Sequence, residues 1–302
     1  MPLSPKSLYS LIGGLLLLSS LPAMSQDIQL AGFSFTSFPR AKVKNSPLNQ
    51  ELAVNEYNFF INLPRQLNNE KTTLINGLQY QRVTLSAEND LNLGLDGENL
   101  HLIGYNLTAL HQLSSSWNAV VSFNPLVSST FNKTLEGDDF LLNSTVLFVK
   151  EKSDRLSYGS GISFTSRFGE PLLIPILQLR YKTEKSGLRI LLPSQIMYDR
   201  FLGKFTAGLE IVVNGSNYNA NSSRTNFLNE IEVVDKLAYS RVVLSPTLKY
   251  RIGKFVQLEA SGGITLARRV EHHGDVFEDQ NYDVANVPFF RFGIAIVPPI
   301  KK

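Results

Sequence analysis

Between Leu156 and Val213 hydrophobic and polar residues alternate through successive segments divided by short polar turns. Leu156, Tyr158, Ile162, Phe164 and Phe168 are interleaved with Ser157, Gly159, Gly161, Ser163, Thr165 and Arg167. Side chains alternate faces along a strand, so the segment predicts one apolar face and one small or polar face. The next sets Leu173, Leu177, Leu179 and Tyr181 against Gln178, Arg180 and Lys182, before Glu184-Lys185-Ser186-Gly187 turns the chain back. Phe205, Ala207, Leu209, Ile211 and Val213 then alternate with Lys204, Thr206, Gly208 and Glu210. The apolar face continues from segment to segment and needs a cover. In water that cover is a second sheet or a helix layer; in an outer membrane it is lipid.

The same rhythm extends both ways. Phe33 and Phe35 alternate with Ser34 and Thr36 in a first strand within Gln29 to Phe38, which leaves the sheet at Pro39 through a basic polar stretch to Gln50. Tyr57, Phe59, Ile61 and Leu63 follow, with Pro64 ending the run. Strands are expected at Thr73 to Ser86 and Leu100 to Leu110, where the alternation is mixed, then from Trp117 to Phe123 and from Phe140 to Val149. A polar loop separates the last two, from Ser128 to Asp139. Asn214 to Asp235, rich in Asn and Ser, reads as the longest surface loop. Val242 to Arg251 and Val256 to Leu266 form a hairpin around Ile252-Gly253-Lys254. A polar loop with His272 and His273 precedes a final strand, Phe290 to Ile296. The expected fold is all-β: a single antiparallel transmembrane β-barrel of about twelve strands, within a range of about 10–14, each of roughly ten residues.

The start of the chain changes the picture. Lys6, a leucine-rich run from Leu8 to Leu21 and Pro22-Ala23-Met24-Ser25 are the three parts of a secretory signal, with cleavage expected after Ser25. The expected organisation is a signal peptide over 1–25 and a barrel domain over 26–302. The apolar run is shorter than the ~18–20 residues of a spanning helix, and no second one follows, so insertion in a membrane must use strands. The chain has no cysteine, hence no lipoprotein anchor and no disulfide framework. Its formal net charge of +3 is too balanced to argue for nucleic acid.

Four features favour lipid over a second sheet: the leader, the strand lengths, the contrast of short turns with long loops, and Tyr158, Tyr181, Tyr198 and Tyr250 at strand ends, where an interfacial girdle stands. Two oppose it. Pro175, Pro193 and Pro246 fall inside expected strands and remove ladder donors. Lys182 to Gly187 and Asp199 to Lys204 read as consecutive short turns, so Leu188 to Phe201, broken at Pro193, is either more than one element or miscounted.

Leu191-Leu192-Pro193-Ser194, Tyr198, Asn214-Gly215 with Tyr218 beyond, and Gly262-Gly263 with Arg268-Arg269 before Glu271 together resemble an uncharacterised Bacteroidota outer-membrane β-barrel family, a domain of unknown function. The resemblance implies a leader, one barrel and location in the cell outer membrane, and it brings no functional residues. It implies outer-membrane lipid and the barrel-assembly machinery as partners, although the Pro-Pro-Ile-Lys-Lys tail differs from the terminal aromatic of many such barrels.

With apolar faces toward lipid, Arg180, Lys182, Glu210, Arg241, Lys249 and Glu259 point into the lumen. Opposite charges enclosed there pair, because a lone desolvated charge costs several kcal/mol. They form either a selectivity constriction for small solutes or a salt-bridge network filling a narrow barrel, the second preferred. An enzyme needs a nucleophile and a base. His101 and His111 have no serine at a recognisable spacing, and His272-His273 beside Arg268, Arg269, Glu271 and Asp275 reads as a charged loop and only weakly as a metal group. No cofactor and no catalytic activity are expected. The function read from the sequence is an outer-membrane barrel with a structural role or passive solute passage. The alternatives are an exported soluble β-sandwich that binds a ligand and a lipid hydrolase at the barrel rim.

Overall fold

A computed structural model describes residues 28–44, 49–88, 97–166, 171–225, 231–273 and 280–299. The expected leader and Arg167-Phe168 lie outside the described residues. The strands are β1 (Ala31–Lys42), β2 (Glu51–Gln66), β3 (Thr72–Glu88), β4 (Asn99–Gln112), β5 (Trp117–Ser129), β6 (Phe140–Ser153), β7 (Leu156–Thr165), β8 (Leu172–Lys182), β9 (Ser186–Leu192), β10 (Gln195–Leu202), β11 (Phe205–Thr225), β12 (Ile231–Ile252), β13 (Val256–His273), β14 (Gln280–Asp283) and β15 (Pro288–Ile296). A single 3-10 turn at Gly137–Asp139 precedes β6.

Each strand pairs antiparallel with the next as far as β13, and β15 joins β13 to β1, so the sheet closes as a barrel of 14 strands. Closure removes both free edges. The short β14 pairs with the end of β13 and continues the line of β15 beyond Pro288.

The wall has 14 strands instead of about twelve chiefly because Leu188 to Phe201 is a hairpin. β9 and β10 pair with Gln195 opposite Leu191 and turn at Pro193-Ser194. Proline there occupies a turn, where no ladder donor is needed. This also restores sidedness. Residues 67–71, 113–116, 154–155, 183–185, 203–204 and 253–255 turn at one end, and the two-residue 193–194 turn lies at the other together with the strand ends that lead to the longest connections. Gly203 and Gly253 supply the positive φ that two of the tight turns require.

Four further boundaries differ from expectation. β1 continues past Pro39, which sits in a register shift between Phe38 and Ala41, and β2 continues past Pro64. Asn214 to Asp235 is no surface loop: β11 and β12 remain paired up to Thr225 opposite Ile231. His272 and His273 end β13 instead of lying in a loop, with His272 opposite Gln280.

The wall is uneven. β7 to β10 have 10, 11, 7 and 8 residues, whereas β11 and β12 have 21 and 22. Above the short strands β11 loses its β10 partner after Val212 and crosses to β5, where Asn219 pairs with Ser129. Ser128 Oγ donates to the Asn217 carbonyl at 2.6 Å, and Thr130 Oγ1 to that of Ala220 at 2.9 Å.

This crossing makes an apolar core inside the loop end, where Phe38, Leu52, Val54, Val83, Leu85 and Leu100 are 0–1 % exposed. The apolar phase therefore flips within single strands. In β2 the outward residues Tyr57, Phe59, Ile61 and Leu63 are odd-numbered, and the buried Leu52 and Val54 are even. In β3 Leu78 and Tyr80 face out, and Val83, Leu85 and Ala87 face in. The mixed alternation at Thr73 to Ser86 and Leu100 to Leu110 is the trace of this plug.

Candidate functional site

Two surfaces carry chemistry: the outer belt and the lumen. On the belt Leu177, Leu209 and Leu258 are 56 %, 50 % and 41 % exposed, and the described residues place no second sheet over them. Phe205 to Val213 presents five apolar side chains outward, about 26 Å of strand at roughly 3.3 Å per residue. Tilt by about 40° reduces this to about 20 Å, near the height of a lipid-facing band. At the short-turn end Tyr158, Tyr181 and Tyr198 face outward, Tyr250 packs on Phe205 with centroids 4.6 Å apart, and the Lys150 ammonium lies over the Trp117 ring. Toward the loop end outward residues become charged: Arg40 pairs with Glu88, and Arg269 with Asp283 at 3.2 Å.

The lumen at the short-turn end is a cavity of about 920 Å³, bordered by the 203–204 turn. Six cations (Lys182, Arg189, Lys204, Lys249, Arg251 and Arg291) and three carboxylates (Asp199, Glu210 and Glu259) line it. Register explains their convergence. On β11 Glu210 is opposite Ser245 of β12, and Lys249 is opposite both Thr206 of β11 and Glu259 of β13. Every carboxylate is engaged. Asp199 takes Arg189 at 2.9 Å and Lys249 at 3.4 Å, and Glu210 takes Arg291 at 2.6 Å and the Ser245 hydroxyl at 3.1 Å. Glu259 accepts from Gln29 at 2.6 Å and Gln257 at 2.7 Å. The wall keeps an excess of positive charge.

Of the six charges named from the sequence, Lys182, Glu210, Lys249 and Glu259 line this cavity together. Arg180 is half-buried and stands across the ladder from Arg189. Arg241 lies deeper, 8 % exposed, with its guanidinium 2.5 Å from Glu56 and over the rings of Phe38 and Tyr239. Arg189, Asp199, Lys204, Arg251 and Arg291 also line the cavity and stand outside those six. Arg189 and Asp199 stand on the β9–β10 hairpin, whose short strands give little alternation to read. The inward phase of β12 and β15 contained the signal for Arg251 and Arg291.

Above this vestibule is an inner chamber of about 300 Å³, lined by Asn, Gln and Ser side chains with Tyr218, Tyr239, Arg241 and Arg291. Ser34, Gln79 and Arg291 line both spaces, and the apolar plug lies beyond. His101, His111 and His272 stand apart from one another. His101 meets Tyr80 and His111 meets Thr72, while His272 is buried edge-on to Tyr282. Among the described residues no group of three metal-ligating side chains occurs.

A family model described as Domain of unknown function (DUF6268) matches residues 27–296. A search of curated proteins finds no match. Among solved structures the chain is similar to the TodX monoaromatic hydrocarbon channel deltaS2 mutant, at 9% identity over 90% of each chain and a TM-score of 0.43. It is also similar to the translocator domain of autotransporter NalP from Neisseria meningitidis, at 13% identity over 96% of each chain and a TM-score of 0.37. A mutant of the Rh. blastica porin matches at 9% identity over 87% of this chain and 98% of that one, with a TM-score of 0.31.

Proposed function

The chain belongs to the DUF6268 family, a domain of unknown function, and we propose that it is an outer-membrane β-barrel, exported through a leader at 1–25, with a structural or passive solute-handling role and no catalytic activity. The observation that supports this reading is the belt: large apolar side chains lie exposed around the closed wall, with tyrosines at its short-turn edge. In water such a surface is an aggregation liability; in lipid it is the solvated state. The Bacteroidota origin implied by the motifs belongs to the same proposal, as do outer-membrane lipid and the barrel-assembly machinery as partners.

The short-turn end of such barrels faces the periplasm. On this reading the vestibule opens to the periplasm and the plug closes the outer side, so small solutes meet the lumen from within the cell envelope. Migration in SDS gels with and without boiling, on protein from the outer-membrane fraction, tests the proposal. A heat-dependent shift is expected. Recovery of the chain as a soluble periplasmic pool would overturn it in favour of the soluble binding module.

A further inference from the structure

We propose that the inner chamber is a binding site for a small carboxylated polyol, a sugar acid or hydroxycarboxylate, reached through the vestibule. The inference rests on the reading of the chain as a barrel. Its first support is an excess of donors. Tyr218 and Tyr239 are 1 % and 2 % exposed and both line the chamber, and beyond the neighbouring Ser216 and Arg268 side chains respectively neither hydroxyl has a hydrogen-bond partner. A buried hydroxyl that is incompletely satisfied costs up to roughly 1–3 kcal/mol, and two lining one cavity are placed to bond a ligand.

Charge selects that ligand. Arg241 and Arg291 line the chamber, and each gives one terminal nitrogen to a carboxylate, Glu56 and Glu210. A guanidinium has further donors beyond one such bond. Arg268, 2 % exposed, lies over the Phe38 ring as Arg241 does, and apart from the neighbouring Tyr239 hydroxyl its guanidinium nitrogens have no hydrogen-bond partner. Three guanidiniums thus stand against two carboxylates, and a single carboxylate on the ligand balances them.

The rest of the lining fits hydroxyls. Asn58, Gln79, Gln81 and Asn143 both donate and accept, as a hydroxyl does, and Leu102 and Leu126 offer a surface for the C–H face of a small ring. The chamber's volume, about 300 Å³, lies at the lower end of the range for small-ligand sites. The positive vestibule raises the local concentration of anions at its entrance.

Isothermal titration of the full chain, refolded in detergent, with D-galacturonate, D-galactose and acetate tests the proposal. Galacturonate is expected to bind with a millimolar or tighter dissociation constant, and the neutral sugar and the plain anion each about tenfold or more weakly, since each lacks one set of partners. Replacing both tyrosines, Tyr218→Phe and Tyr239→Phe, is expected to lower galacturonate affinity about tenfold or more, while heat-dependent migration persists. If that double variant does not fold, Asn58→Leu on the chamber wall should weaken galacturonate and leave acetate unchanged. A barrel that shifts on boiling but binds galacturonate no better than galactose or acetate overturns the site alone. Loss of both the shift and the binding overturns the barrel reading with it.

Discussion

Gly262 and Gly263 are adjacent in sequence and opposite in consequence. Between Leu244 opposite Ile264 and Thr247 opposite Ser261 the β12–β13 ladder leaves Ser245-Pro246 unpaired across from them. Pro246 lacks the donor for this rung, and the backbones close together beside it. A Cβ on Gly263 would lie 2.1 Å from the Leu244 carbonyl oxygen and 2.7 Å from the Ser245 Cα, whereas one on Gly262 meets only the Phe289 carbonyl at 3.5 Å. Gly263→Ala is therefore expected to destabilise the barrel by about 1–3 kcal/mol, because two strands must separate, and Gly262→Ala to be nearly neutral. Urea unfolding of both variants in lipid vesicles checks this; equal midpoints would remove the close approach as the reason for the glycine pair. Glu56 makes a second single-residue prediction. It is fully buried against Arg241, so Glu56→Gln leaves a guanidinium without its counter-charge inside the apolar plug. A loss of about 3–5 kcal/mol is expected in the same assay, and Glu56→Gln combined with Arg241→Gln should recover part of it.

At the scale of strands, the sequence carried the outward phase well and the inward phase poorly. Leu177, Leu209 and Leu258 face outward as their alternation implied, because lipid and water both leave a simple period of two on that surface. Inside, one strand meets different surroundings along its length: cations and amides in the vestibule, aliphatics in the plug. A period-of-two reading takes the flip in β3 and β4 for weak alternation. Asn- and Ser-rich sequence misled for the same reason. Asn214, Ser216 and Asn217 line the inner chamber from a long strand, and their polarity reports a polar interior instead of a loop. The Leu188 to Phe201 hairpin was hidden because its strands are shorter than a full crossing. One substitution separates a lipid-facing belt from a water-facing one. Leu209 lies midway along the outward row of β11, and Leu209→Arg is expected to cost about 2–4 kcal/mol in vesicles if lipid surrounds it. On a water-facing surface the same change stays within about 0.5 kcal/mol, so that result would exclude a lipid-facing belt.

For the whole molecule the decisive relation is between tall and low walls. β7 to β10 stop short, β11, with β12 paired to it, leans across them onto β5, and the buried faces beneath fuse into one plug. The barrel is thereby closed at its loop end by its own wall, with no separate domain inserted among the described residues. Closure predicts that the intact protein in planar bilayers shows no standing open conductance. Replacing residues 216–239 by an Asn-Gly turn removes the leaning segment where Gly215 pairs with Ser240, a register that a short hairpin turn can close. That variant is expected to conduct. The current should favour anions, since six cations face three carboxylates in the vestibule and all three carboxylates are already engaged. The reversal potential in a potassium chloride gradient reads this directly. Cation preference would mean that the basic side chains are neutralised by groups beyond the described lining, and an open wild-type channel would mean that the plug is not the closed end of the barrel.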